Sequence, residues 1–271
     1  MEQAASAPRG SRAEDHTGQG SICMRDVLVL CYHAVSANWP ATLAVSPERL
    51  REQVRFLLRR GHEAVTFAEL VRGKGSNRML AVTFDDGYRS VLELGLPVLS
   101  ELGVPATIFV PTDFAGSPKP MSWPGIDDWA PGPHQDELLC LDWEQLGTLR
   151  DAGWEVGSHS RSHPRLTELD DQSLAGELAG SRQACERELG EACLTLAYPY
   201  GDNDPRVQQA AREAGYEAAT SLSPGRERRY CWPRVGVYPA DDLRRFRIKT
   251  ASSVRRVRAT GLVKVIERAR Q

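Results

Sequence analysis

The sequence predicts a parallel α/β fold, either a barrel or an open sheet, and three observations carry that prediction. Short apolar runs alternate with amphipathic helical segments from Val27 almost to the end of the chain. The runs are short and rich in Val, Ile, Leu or aromatics, as buried parallel strands are. Each of the three motifs richest in polar, reactive side chains falls at the end of such a run, where α/β barrels gather a site. With 271 residues, 41% of them hydrophobic, the chain can bury one barrel-sized core as readily as two small ones.

In chain order the candidate strands are residues 27–32, 79–84, 106–110, 155–158, 194–198, 217–220 and 235–238, each rich in Val, Ile, Leu or aromatics. Between them lie helical patterns. Ser46-Pro47-Glu48 is a helix start, with Ser as N-cap and Pro at the first helical position. Leu50, Val54, Leu57 and Leu58 then recur at helical spacing, and Gly61 ends the run. Further helices fit residues 90–102, 142–152, 173–189, 205–214 and 241–247. Residues 112–139 break the rhythm. They are proline-rich, contain Trp123 and Trp129, and have no clear period, which marks a functional loop walling a site or a decorative insertion.

Composition excludes several partners. The 34 basic and 36 acidic residues are spread along the chain, with no basic stripe for nucleic acid. Six cysteines, Cys23, Cys31, Cys140, Cys185, Cys193 and Cys231, show no Cys-x2-Cys pair of a cysteine-based zinc site and read as free thiols in a reducing compartment. Residues 1–24 are charged throughout, lack the apolar run of a signal peptide, and read as a disordered or added tail. No segment approaches the roughly 18 consecutive apolar residues of a membrane span. The chain therefore reads as cytoplasmic, and its oligomeric state stays open.

The first motif is Thr83-Phe84-Asp85-Asp86-Gly87. Adjacent carboxylates after a strand point in different directions, so one can bind a cation while the other acts as a base; the same residues could also simply cap the following helix. The second is Gly157-Ser158-His159-Ser160-Arg161-Ser162-His163-Pro164. Two imidazoles four residues apart meet on one face of a helical turn, within reach of one metal or merely as a surface pair. The third, Leu196-Ala197-Tyr198-Pro199-Tyr200-Gly201, is a rigid turn whose exposed N–H groups could form half of an oxyanion hole. Taken together, an aspartate and two histidines with coordination positions to spare describe a hydrolytic metal centre rather than a closed structural one.

Thr-Phe-Asp-Asp-Gly, then His-Ser-x-x-His, then a Pro-Tyr-Gly turn, in that order, resembles the polysaccharide deacetylase superfamily, carbohydrate esterase family 4. The likeness runs from about Val27 to Thr250 and includes Val45-Ser46-Pro47-Glu48, Gly61 and Thr66. It implies a distorted (β/α)7 barrel formed by residues 25–271 as one catalytic domain. It also implies one divalent metal ion, commonly zinc, with Asp86, His159 and His163 as ligands. Asp85 would be the general base that activates water, and the backbone N–H of Tyr200 would stabilise the tetrahedral oxyanion.

Two expected pieces are missing. Many family members carry an Arg just before the Pro-aromatic turn, orienting the base, where this chain has Leu196-Ala197-Tyr198. Many also end on an apolar strand with a His that protonates the leaving amine. The candidate here, residues 246–250, has none, and no His follows His163. Val29-Leu30-Cys31-Tyr32-His33 repeats that lost local pattern at the other end of the chain. A closed barrel sets its first and last strands side by side, so His33 is the candidate acid, across the ion from Asp85, or else a structural strand-end histidine. Arg234, at the mouth of a late strand, either replaces the missing Arg or makes an ordinary rim ion pair. His16, His62 and His134 have no such context.

The resemblance implies a metal-dependent N-deacetylase of an N-acetylated sugar or glycoconjugate, and without a recognisable signal peptide a cytosolic N-acetylhexosamine is expected rather than extracellular peptidoglycan or chitin. A non-catalytic carbohydrate-binding relative, a deformylase and an O-deacetylase remain open at this point.

Overall fold

The apolar runs form strands buried on both faces, and their alternation sorts side chains into two cores. In the computed structural model, which describes residues 26–259, β1 (Asp26–Tyr32) is buried along nearly its whole length. Its Leu28, Leu30 and Tyr32 join a large core shared with the helices. Val27 and Val29 turn the other way, into a smaller cluster with Ala81, Phe109, Ala197 and Ala218 from other strands. One face of each strand therefore meets the helical layer, and the other fills the inside of a curved sheet.

After β1, β2 (Ala34–Val35) and β3 (Ala44–Val45) pair in a separate small sheet. The main sheet adds β4 (Glu63–Ala64), β5 (Arg78–Phe84), β6 (Ala106–Val110), β7 (Glu155–Ser158), β8 (Thr195–Ala197), β9 (Ala218–Ser221), β10 (Trp232–Pro233) and β11 (Val235–Gly236). Its pairings are parallel, in the order β10-β9-β8-β7-β6-β5-β1-β11, with β4 on β5. Only Arg234 separates β10 from β11, so one short segment pairs with β9 and then with β1. Arg234 donates its N–H to Ser221 O on the β9 side, and Val237 donates to Cys31 O on the β1 side. This split strand brings together the two ends of the sheet. With it, β1 and β5 to β9 make the seven staves of a distorted (β/α) barrel.

The helices follow local signals. In α1 (Pro47–Arg59), the Ser46 side chain accepts from Arg49 N–H, Pro47 opens the first turn, and Leu50, Val54 and Leu57 are buried. Burying each such side chain contributes about 1.5–3 kcal/mol relative to exposure. A short helix, α2 (Phe67–Val71), has a capping box between Thr66 and Glu69 and plugs the N-terminal end of the barrel. There Glu155, half-buried at the start of β7, accepts from Ala68 N–H, Thr107 and Thr195. With that end sealed, the strand C-termini are where a site can open.

The segment expected as one helix over residues 90–102 is interrupted. Residues Val91–Gly95 form a wider turn, in which Leu96 N–H reaches back five residues to Val91 O, and only then does α3 (Leu96–Glu101) begin. Pro97, in its first turn, has no N–H to donate, which favours such a break. The remaining helices are α4 (Trp143–Asp151), α5 (Asp171–Leu189), α6 (Pro205–Glu213), α7 (Leu243–Thr250) and α8 (Ser252–Ala259). Helix α7 begins two residues later than expected because Asp242 caps it, and it takes up residues 246–250, where a strand would have carried the acid. Residues 112–139 are irregular but packed, with Met121, Trp123, Ile126 and Leu138 buried. The expected tail, residues 1–24, with His16 and Cys23, lies outside the described residues, as do residues 260–271. Among the described residues, no helix is long and apolar enough to cross a membrane.

Candidate metal centre and active site

Asp86, His159 and His163 converge at the C-terminal ends of β5 and β7. Asp86 Oδ1 lies 3.3 Å from His159 Nε2 and 3.4 Å from His163 Nε2. All three residues are buried, and their donor atoms lie within 4.8 Å of one another. His159 Nδ1 sits 2.8 Å from Ala197 O. A carbonyl can only accept, so Nδ1 carries the hydrogen and the Nε2 lone pair faces the carboxylate. A lone pair and a carboxylate at that distance need a cation or a proton between them, and the donor set fits a divalent ion. Burial opposes charge on His159, but Asp85 and Asp86 outweigh it and hold its pKa above the usual value. A cation takes that proton's place, so binding would weaken as pH falls.

The two histidines do not share a helical turn, as their spacing suggested. Residues 159–163 form an irregular loop, with His163 at φ 61° and Ser160 at φ 64°. Asp86 (φ 69°) and Tyr200 (φ 58°) share that left-handed conformation, and these four are the only non-glycine residues in it among those described. Such backbone costs of order 1–3 kcal/mol per residue and clusters where function demands a particular aim. Gly87 follows Asp86 with φ 66°, and a Cβ there would stand 3.1 Å from Val110 Cγ2 and 3.2 Å from Cys140 Sγ. The tight turn after β5 therefore requires glycine, and it points Asp85 and Asp86 to different partners.

Asp85 faces Arg234. The guanidinium spans both carboxylate oxygens, Nη1 to Oδ1 at 2.6 Å and Nη2 to Oδ2 at 2.7 Å, and also donates to Thr83 Oγ1 at 3.0 Å. The Arg234 side chain is fully enclosed, with Phe109 beneath it. The pair is enclosed at both partners, unlike an exposed ion pair on the barrel rim. Burial works against charge on Asp85, but Arg234 foremost, then His159, holds its pKa below the usual carboxylate value. Cys31 adds a third contact, its Sγ donating to Asp85 Oδ2 at 3.3 Å.

A His33 ring nitrogen lies within 4.8 Å of both Asp85 and Cys31 donor atoms. His33 and Asp85 are thus neighbours at the barrel mouth. Nδ1 of His33 is buried without a hydrogen-bond partner. Sequence reasoning missed Cys31, although inward alternation along β1 sets it on the same face as His33. The Tyr200 ring contacts His163 edge-on at 4.7 Å, and the Arg165 guanidinium lies 4.5 Å above that ring. Trp123, from the long loop, stacks on His163 at 4.0 Å. His62 lies at the far end of β1 beside Asp26, and His134 touches only Trp129 among the ring contacts.

Residues 72–219, more than half of the chain, match the polysaccharide deacetylase family. The chain belongs to that family. The matched span contains Asp85, Asp86, His159, His163 and Tyr200, whereas His33 and Arg234 fall outside it. Among similar polysaccharide deacetylase relatives, the YxkH protein of Bacillus subtilis (strain 168) is 26% identical over 220 residues, covering 78% of this chain and 71% of its own. The poly-beta-1,6-N-acetyl-D-glucosamine N-deacetylase of Staphylococcus aureus is 21% identical over 209 residues, covering 71% and 67%. A Streptococcus pyogenes deacetylase, PplD, solved in complex with acetate, superposes with a TM-score of 0.71 at 18% identity over 83% of this chain and 98% of its own. That likeness establishes the barrel fold.

Proposed function

We propose that this polysaccharide deacetylase is a metal-dependent hydrolase that removes an N-acetyl group from an N-acetylated sugar or glycoconjugate and releases acetate. The observation that carries the reading is the buried Asp86–His159–His163 triad beside a carboxylate that Arg234 grips at both oxygens. Two imidazoles and one carboxylate suit zinc among the divalent ions. When bound, such an ion polarises the acyl carbonyl and makes a water molecule more acidic.

The chain's own groups account for the rest. Asp85, ionised near neutral pH, accepts the proton of the attacking water. The backbone N–H of Tyr200, aimed by a left-handed turn, donates to the oxyanion as the carbonyl becomes tetrahedral. His33 protonates the departing nitrogen, which leaves poorly as an anion. The likeness to the Staphylococcus aureus enzyme supports an N-acetylglucosamine-containing glycan as the substrate class. A protein that only bound sugar would need neither a fully enclosed arginine nor a carboxylate held below its usual pKa.

The test is direct. Purified protein should carry about one equivalent of zinc and release acetate from N-acetylglucosamine oligosaccharides, followed by mass spectrometry as loss of an acetyl group. A strong chelator should stop the release, and added zinc should restore it. Zinc-loaded protein that turned over none of a panel of N-acetylated glycans would refute the reading.

The role of His33 makes a separate prediction. His33→Ala should keep zinc and lose amide hydrolysis by about 10²–10⁴-fold, the usual worth of a general acid. Hydrolysis of an activated aryl ester, whose phenolate leaves without a proton, should fall much less. Equal losses on amide and ester would remove His33 from the acid role.

A further inference from the structure

The two histidines of the triad are supported in different ways. His159 is oriented conventionally, its Nδ1–H donated to Ala197 O at 2.8 Å. His163 has no such bond: its Nδ1 is buried and has no hydrogen-bond partner. A metal-binding imidazole normally donates its second N–H to a neighbour, which fixes the ring plane, and losing that neighbour costs about 10–100-fold in metal affinity. Something else has to hold the His163 ring.

Aromatic rings hold it. The Trp123 indole lies flat against the imidazole, with centroids 4.0 Å apart and planes 21° from parallel. Tyr200 meets the imidazole edge-on at 4.7 Å and 64°. Trp123 is itself only 8% exposed and is braced by the edge of Phe114 at 5.3 Å. The loop that carries Trp123 is tied to the histidine segment at its start, where Thr112 and Asp113 donate their N–H groups to Ser160 O and Arg161 O. Its far side is closed by Met121 N–H donating to Leu138 O.

We propose that Trp123 is a positioning residue that orients His163 by stacking, in place of the hydrogen bond this ligand lacks, and so couples metal binding to the packing of residues 112–139. The proposal rests on Asp86, His159 and His163 being metal ligands. An imidazole that gives its lone pair to a cation becomes electron-poor, and an electron-poor ring is drawn more strongly to the indole face. Metal and stack therefore reinforce each other, and by reciprocity whatever loosens the loop weakens the metal. The wall beside the site is then built on one of the ligands rather than merely placed near it.

Zinc affinity measured by competition with a chromophoric chelator, together with tryptophan fluorescence, tests this on the full-length protein. Trp123→Ala should bind zinc about 10–100-fold more weakly than the unaltered protein. Trp123→Phe, which keeps a flat ring against His163, should recover most of that loss. Zinc should change the tryptophan fluorescence of the unaltered protein, and most of the change should vanish in Trp123→Phe. Far-ultraviolet circular dichroism of the metal-free variants separates weak binding from misfolding, and if Trp123→Ala fails to fold, Trp123→Phe and the fluorescence decide. Trp123→Ala binding zinc as tightly as the unaltered protein overturns the proposal alone, as does a zinc-induced fluorescence change that persists fully in Trp123→Phe. Unaltered protein that binds no zinc overturns the ligand assignment, and this proposal with it.

Discussion

Replacing His159 with alanine is expected to abolish both stoichiometric zinc and turnover. The side chain supplies one of three donors, and its loss leaves Asp86 and His163 as a two-ligand site. It also removes the one triad ring whose plane is fixed by a hydrogen bond, to Ala197 O. The affinity loss should exceed the about 10–100-fold that follows from removing a ligand's supporting contact. Asp86 is buried, and without a cation its carboxylate depends on His159 and His163. The variant should therefore also be less stable than the metal-free parent. Metal analysis after gel filtration and an acetate-release assay check both effects on folded material. Full turnover by a zinc-free His159→Ala preparation would mean that the triad is not the reaction centre.

How much of this was legible in the sequence depends on the range over which each feature is encoded. The strands ending at Tyr32, Phe84 and Val110 could be read because each is a largely apolar run, whereas the one ending at Ser158 is only Glu-Val-Gly-Ser and shows itself by its place before the histidine motif. The triad could be read because its residues sit in short motifs. Helix α2 was missed although Thr66 and Glu69 spell a capping box, since five residues show no periodicity. The split strand around Arg234 was blurred into residues 235–238, because two-residue strands have no pattern of their own. The Arg234–Asp85 pair joins residues 149 positions apart and becomes visible only once the sheet curves β11 round to β1. The histidine loop was misjudged for the opposite reason. A spacing of four suggests a helical turn, but left-handed residues at Ser160 and His163 bring the two rings to 4.9 Å by another route.

Asp85→Asn should lower kcat by about 10²–10⁴-fold while leaving zinc in place, because this residue handles the proton and Asp86 the ion. A carboxylate offers about four lone-pair sites. Arg234 occupies two and Cys31 one, which leaves one to take a proton from water. Asparagine has no such acceptor of comparable basicity, and its amide NH2 would confront an Arg234 nitrogen at the 2.6–2.7 Å now spanned by hydrogen bonds. An enclosed guanidinium would then lack its counter-charge, and breaking a buried pair from one side costs about 3–5 kcal/mol. A fall in activity could thus reflect lost stability rather than lost chemistry. The double variant Asp85→Asn/Arg234→Met separates the two, since it removes the stranded charge along with its partner. It should melt closer to the parent than Asp85→Asn does, bind zinc with near-parental affinity, and remain as inactive as the single variant. Recovery of activity together with stability would make Asp85 a structural residue. Loss of zinc from both variants would make it a ligand, and the division of labour between the two aspartates would have to be abandoned.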